Sequence, residues 1–327
     1  MKIVFIYRQP RAGAFSIETL FHTVADELRN RSEEIIEYEV GPRAHLLADI
    51  LALRKLDADI YHVTGDVNYL VIFLPWSKTV LTVCDIGHYL FGLTGWKRLL
   101  YKWLWLALPM YFSRQLTTIS LATRDHMVRY FKLKESQISV IECCYNPLYK
   151  PQIKIFNKVC PRILQVGVKP YKNVPRLIRA LQGISCRLIL IGELDGDITN
   201  ALAETGVQFE NYVGISQEEL LGQYADADMV SFVSIGEGFG VPIIEAQAVG
   251  RPLITANIPP MSVAAGSGAY LADPLDIESI RTGILRIIND EGYRKQIVDS
   301  GFKNAKRYAP KAMAKLYLNQ YLEINTE

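Results

Sequence analysis

Cysteine is scarce in this chain, with five in 327 residues, at positions 84, 143, 144, 160 and 186. The number is odd, two are adjacent, and no spacing matches a metal-binding or redox motif, so they read as reduced, mostly buried thiols. Long hydrophobic runs are missing too: no stretch of about 18 apolar residues is available to span a bilayer. The opening Met1-Lys-Ile-Val-Phe-Ile-Tyr7 meets Arg8, Pro10 and Arg11 too soon to serve as a signal sequence. A cytoplasmic protein is the expectation. Nor is there an excess of one charge, because the formal net charge is +2 and no Lys/Arg-rich tract occurs, which leaves nucleic acid without an electrostatic footprint. Internal repeats and low-complexity tracts are absent as well.

What is present is a half-apolar composition, enough for two domains that each bury a core. Short apolar runs at 2–7, 59–63, 79–84, 116–119 and 138–141 alternate with helical patterns, and a second series follows at 162–166, 187–191, 228–233 and 252–256. Such alternation predicts an α/β fold of two doubly wound, Rossmann-like units, each a parallel sheet covered by helices on both faces. Asn146-Pro-Leu-Tyr-Lys-Pro151, with prolines restricting their neighbours, is the natural linker, which puts the domains at 1–150 and 151–307. After Pro310, residues 311–324 carry alanine, leucine and tyrosine at helical spacing.

The densest chemistry lies at Ile235-Gly-Glu-Gly-Phe-Gly-Val-Pro-Ile-Ile-Glu-Ala-Gln-Ala-Val-Gly250, where Glu237 and Glu245 flank a glycine-rich turn that opens a helix. Gly236, Gly238 and Gly240 let backbone amides approach a ligand at the positive end of that helix, which suits a diphosphate. Glu237 can accept hydrogen bonds from a sugar's hydroxyls and Glu245 from those of a ribose. A dinucleotide fold also uses such a turn, but its fingerprint places the third glycine three positions after the second, and here it comes two after.

This segment resembles the signature of the retaining glycosyltransferases of family 4, which have the GT-B fold of two Rossmann-like domains facing across a cleft. Ile163-Leu-Gln-Val-Gly167 followed by Lys172-Asn173 and Leu177-Ile-Arg-Ala-Leu181 is similar to that family's strand, phosphate-binding loop and first helix of the nucleotide domain. Ile119-Ser120 with Arg124-Asp125, Val140-Ile141 through Asn146-Pro147, and Asp273-Pro274 fall in the family's order. The resemblance implies transfer of a hexosyl-type sugar from a nucleoside diphosphate sugar to an acceptor hydroxyl, with retention, without a metal or further cofactor, in polysaccharide or glycolipid assembly. It implies that the last helix, 308–327, returns to the first domain. Donor contacts are then expected at Gly13, Lys169, Lys172, Asn173, Glu237, Gly238, Phe239, Gly240, Val241 and Glu245, with Lys172 neutralising the departing diphosphate.

Besides Val168, which follows Gly167 where many relatives carry an arginine, with Lys169 next, two positions depart from the pattern. Relatives read His-Asp after the strand that ends near 83, and that histidine contacts the transferred sugar; here the pair is Cys84-Asp85, so Asp85 keeps its place and His88 is the candidate imidazole. Relatives commonly carry a glutamate where this chain has Val263. These losses keep open a non-catalytic nucleotide-sugar-binding subunit of the same fold, and a nucleotide-sugar epimerase is a third reading. Asp57/Asp59, Asp195/Asp197 and Asp226/Asp228 each form an Asp-x-Asp triplet of the kind that holds a divalent metal in other transferases, but aspartates in turns serve the backbone just as well.

Residues 90–112 combine three tryptophans with Lys97, Arg98 and Lys102. Such a mixture suits a membrane interface, giving peripheral contact at the inner face of the membrane through 96–112 and access to a saccharide or lipid-linked saccharide acceptor. It equally suits a helix packed into the first domain's core with its basic face in water, and the breadth of the apolar stripe favours that reading.

Overall fold

The computed structural model describes residues 1–9 and 16–326. The chain forms two compact units, one of Met1–Cys144 together with the stretch from Pro310 on, the other of Tyr145–Ala309. The first changeover falls at 144/145 rather than the expected 150/151. Tyr149 packs edge-on against Tyr224, centroids 5.2 Å apart, and the Gln152 amide donates to the Val249 carbonyl at 3.1 Å, which ties the proline-rich stretch to the second unit.

The first unit contains strands β1 (Lys2–Tyr7), β2 (Glu34–Glu39), β3 (Ile60–Val63), β4 (Thr79–Val83), β5 (Gln115–Thr118) and β6 (Ile138–Val140), in the order β2-β1-β3-β4-β5-β6 and all parallel. Parallel strands covered on both faces bury every side chain, and β1 and β4 do so over nearly their whole length. The final helix, Pro310–Thr326, packs here. Its Tyr317 and Tyr321 are fully buried in a ring cluster with Phe5, Phe21 and His62. His62 Nδ1 pairs with the Tyr321 hydroxyl and Nε2 with Thr82 Oγ1, both at 2.7 Å. Complete burial of the imidazole pushes its pKa down to about 3, so the ring is neutral.

The second unit contains β7 (Arg162–Val166), β8 (Arg187–Ile191), β9 (Phe209–Tyr212), β10 (Met229–Phe232), β11 (Leu253–Ala256) and β12 (Tyr270–Ala272), in the order β12-β11-β10-β7-β8-β9. The chain builds outward from β7 in one direction, then returns to start β10 on its other side. The carboxyl ends of β7 and β10 therefore flank a topological switch point, where loops diverge and leave room for a ligand.

Residues 95–112 are helical in three consecutive pieces: Gly95–Tyr101, a wider π turn over Lys102–Ala107, and Leu108–Phe112. Leu106, Pro109 and Met110 are buried in the first unit, but the opposite face is not the basic one expected of a core helix. Trp96, Leu99, Leu100, Trp103, Leu104 and Tyr111 are exposed. No helix among the described residues is long and apolar enough to cross a membrane. All five cysteines are free thiols, four of them buried.

Candidate functional site

The loop after β7 begins at Gly167, whose φ of +83° turns the chain back over the strand end. A side chain there would sit 3.0 Å from Lys172 Cε, so glycine is what allows the lysine to lie across the loop. A short 3-10 turn, Pro170–Lys172, leads to Asn173, which adopts φ +61° and precedes the helix Val174–Leu181. Asn173 is buried, and its side-chain amide donates to the carbonyls of Val233 at 3.0 Å and Pro274 at 2.6 Å. It clips the lysine loop to the loops after β10 and β12. Lys169, four residues before it, is exposed.

From the neighbouring strand β10, the chain passes through Glu237 and Gly238 to Gly240, whose φ of +110° precedes the helix Val241–Val249. That backbone angle strains any other residue, and a Cβ at 240 would also meet Ile243 Cδ1 at 2.9 Å, so the turn favours glycine. Phe239 is buried against Tyr308, centroids 5.5 Å apart, which anchors the turn and holds the helix N-terminus, with its partial positive charge, at the switch point. Pro242 at the start of the helix costs no helical hydrogen bond.

The two loops meet in an ion pair, with Lys172 Nζ 2.8 Å from Glu237 Oε1 and both side chains mostly withdrawn from water. The ammonium also lies 4.4 Å from the ring centre of Phe232, the last residue of β10. Glu245 sits deeper. It is buried, and its Oε2 accepts from the Tyr224 hydroxyl at 2.8 Å, while the Tyr149 hydroxyl and Lys172 also favour the charged carboxylate. Burial outweighs them and pushes the Glu245 pKa up to about 7. Far from an arm on the helix surface, this carboxyl is held against two tyrosines. Neither Tyr224 nor Tyr149 was legible as a site residue, because no motif contains them and only packing brings them to Glu245.

The second unit thus brings together Lys172, Asn173, Glu237, Phe239, Gly240, Val241 and Glu245. Asp85 and His88 stand in the first unit, after β4. The Asp85 carboxylate accepts from the Gly87 amide at 2.8 Å and shapes the turn. His88 is exposed, with its ring edge-on to Tyr101 at 5.1 Å. Cys84, where a histidine was sought, is buried, its thiol donating to the Thr64 carbonyl at 3.7 Å and raised in pKa by desolvation. Gly13 lies outside the described residues. Val263 is 43% exposed. Of the aspartate triplets, Asp195 caps the helix Gly196–Thr205 through the Ile198 amide, and Asp228 accepts from the amides of Asn157 and Arg162. Both serve the backbone.

Known proteins resemble this chain in part of its sequence and in its fold. Residues 151–304 match the family model described as Glycosyl transferases group 1. Over 233 residues the chain is 26% identical to O-antigen chain mannosyltransferase B of Escherichia coli, a match covering 64% of this chain and 60% of that relative. Sucrose-phosphate synthase from Thermosynechococcus elongatus superposes with a TM-score of 0.79 at 15% identity, covering 99% of each chain. Anabaena HepE, solved in complex with UDP and glucose, superposes at 0.78 and 15% identity over 99% of this chain and all of that one. The fold is that of the GT-B glycosyltransferases, two parallel-sheet Rossmann-like domains.

Proposed function

We propose that this chain, whose residues 151–304 form a group 1 glycosyltransferase domain, moves a hexosyl unit from a nucleoside diphosphate sugar to a hydroxyl of a saccharide or lipid-linked saccharide acceptor. Relatives named for O-antigen mannosyl transfer make mannose the first sugar to try and surface polysaccharide assembly the first setting. The observation that carries this reading is the Lys172–Glu237 pair at 2.8 Å, on the two loops that flank the switch point and beside a helix N-terminus. A lysine and helix-end amides suit a diphosphate, while the carboxylate paired with that lysine suits sugar hydroxyls.

In the reaction, the bond between the anomeric carbon and the diphosphate oxygen breaks, and its electron pair leaves with the diphosphate. Lys172 and the amides near Phe239 and Gly240 neutralise the growing charge. The acceptor oxygen bonds to the anomeric carbon from the same face, and its proton passes to the departing phosphate oxygen, giving retention. Glu237 orients the sugar and Glu245 the ribose. Lys172 and the helix-end amides can supply the neutralisation that other transferases take from a metal ion, so turnover is expected to survive a chelator.

Removing Lys172 as alanine is expected to lower kcat by about a hundredfold or more, the cost typical of a lost charge-stabilising donor. Glu237→Gln should lower sugar transfer while leaving affinity for the free nucleoside diphosphate unchanged. Intact turnover in both variants sinks these roles. Donor binding without any released nucleotide, across a panel of acceptors, would instead favour the non-catalytic subunit, which the buried thiol at Cys84 keeps in view.

A further inference from the structure

The helix Gln217–Asp226 gives the site one side chain. Tyr224 is its only buried residue, and the Tyr224 hydroxyl donates to Glu245 Oε2 at 2.8 Å. A helix with a broad apolar face is fixed by that face, whereas here the aim of the hydroxyl depends on what else holds the helix. Its last turn is held by Arg251. The guanidinium donates from Nε to the Tyr224 carbonyl at 2.9 Å and from Nη2 to the Ala225 carbonyl at 3.0 Å. Carbonyls at a helix C-terminus have no partner within the helix, and the negative end of its dipole favours a cation there.

Arg251 is itself buried, at 4% exposure, which lowers its pKa, and the aspartates that favour its charge are Asp228 and Asp226. Asp228 is engaged by the amides of Asn157 and Arg162 and by Lys154 at 3.5 Å, so the protons of Arg251 go to the helix carbonyls. Burying a cation is costly, and the groups bonded to it show what it holds in place. The same residue also grips the helix that carries Glu245. Gly250, with φ +85°, turns the chain at the end of Val241–Val249, in space that Phe302 closes to a side chain. The Arg251 amide then donates to the carbonyl of Ala246, next to Glu245, at 2.8 Å. Arg251 is thus bonded beside both ends of the Tyr224–Glu245 hydrogen bond. The groups acting on the Glu245 carboxyl are Tyr224, Tyr149 and Lys172, so the influence of Arg251 passes through the position of Tyr224.

We propose that Arg251 is a positioning residue: by tying the last turn of helix Gln217–Asp226 to the end of helix Val241–Val249, it places the Tyr224 hydroxyl on Glu245. It thereby sets the pH at which that carboxylate receives a nucleotide, a consequence that rests on the ribose role of Glu245. Carbon-13 NMR titration of the full chain reads the placement without any ligand, the Glu245 carboxyl signal being assigned by its loss in Glu245→Gln. Arg251→Met should raise the Glu245 midpoint by about one pH unit, as loss of a hydrogen bond to a charged group does, and should add nothing in a Tyr224→Phe background. Arg251→Lys keeps the charge but not the planar two-pronged donor, so a shift in the same direction there reports position rather than lost attraction. Calorimetry with uridine and guanosine diphosphates should show the affinity of the better ligand falling about fivefold at pH 7, the loss of ionised carboxylate that such a shift gives. The proposal fails if both Arg251 variants lower the melting temperature yet leave the Glu245 midpoint in place, the mark of a purely structural arginine. It also fails if the shift adds in full to that of Tyr224→Phe. A midpoint that moves while neither diphosphate's affinity follows would keep Arg251 as the residue that positions Tyr224 and would overturn the ribose role of Glu245.

Discussion

At the scale of single residues, Glu245 separates what a motif says from what packing does to it. Its distance from Glu237 in the sequence suggested a ligand-gripping carboxylate, yet the side chain is buried, bonded to Tyr224, and has a pKa near 7. If the ionised form receives the ribose hydroxyls, affinity for a nucleoside diphosphate should rise with pH through about 7. Tyr224→Phe removes a hydrogen bond that favours the charged form, so the midpoint of that rise should move to higher pH, as titration calorimetry across pH would record. The loss at pH 7 is expected to be about 1.5–3 kcal/mol, as for other hydrogen bonds to charged groups. A midpoint unmoved in the variant would separate Glu245 from nucleotide binding. Lys172 and Glu237 were legible by type and position, but their mutual contact was not, because it depends on β7 and β10 being neighbours.

At the scale of elements, the loop that carries Glu237 and the helix that carries Glu245 are set by Gly240. Forcing a side chain into φ +110° against Ile243 should cost about 1–3 kcal/mol, so Gly240→Ala is expected to lower the denaturant midpoint and to weaken nucleotide binding together. Binding lost at unchanged stability would instead point to a direct ligand clash. The elements that the hydrophobic pattern did not announce have a common cause: β2, β9 and β12 each lie at the edge of a sheet. An edge strand has one neighbour and more solvent, so Glu34–Glu39, which reads Glu-Ile-Ile-Glu-Tyr-Glu, and Phe209–Tyr212 carry polar residues that interrupt an apolar run. The stretch 95–112 misled in the opposite sense. Its apolar residues signalled a core helix, but they are spread over two faces, and only one of them is covered.

At the scale of the whole molecule, the last helix closes the first unit through His62. Its folded pKa of about 3 lies below the ordinary value near 6.5, so the folded state binds fewer protons in that window. This stability is present above pH 6.5 and is lost as pH falls toward 3, at about 1.4 kcal/mol per pH unit. Chemical denaturation between pH 7 and 5 should show that slope in the first unit, and His62→Gln should flatten it; an equal slope in the variant would assign the acid sensitivity elsewhere. By itself the sequence determined the two doubly wound units, the glycine-rich turn between the glutamates and the lysine loop, because apolar periodicity and backbone-permissive glycines act locally. Only the tertiary structure decided that Lys172 meets Glu237, that Tyr224 and Tyr149 hold Glu245, and that one aromatic face of 95–112 stays in water. Each of those depends on which strands become neighbours and which surfaces are left uncovered, and neither is encoded in any single stretch of chain.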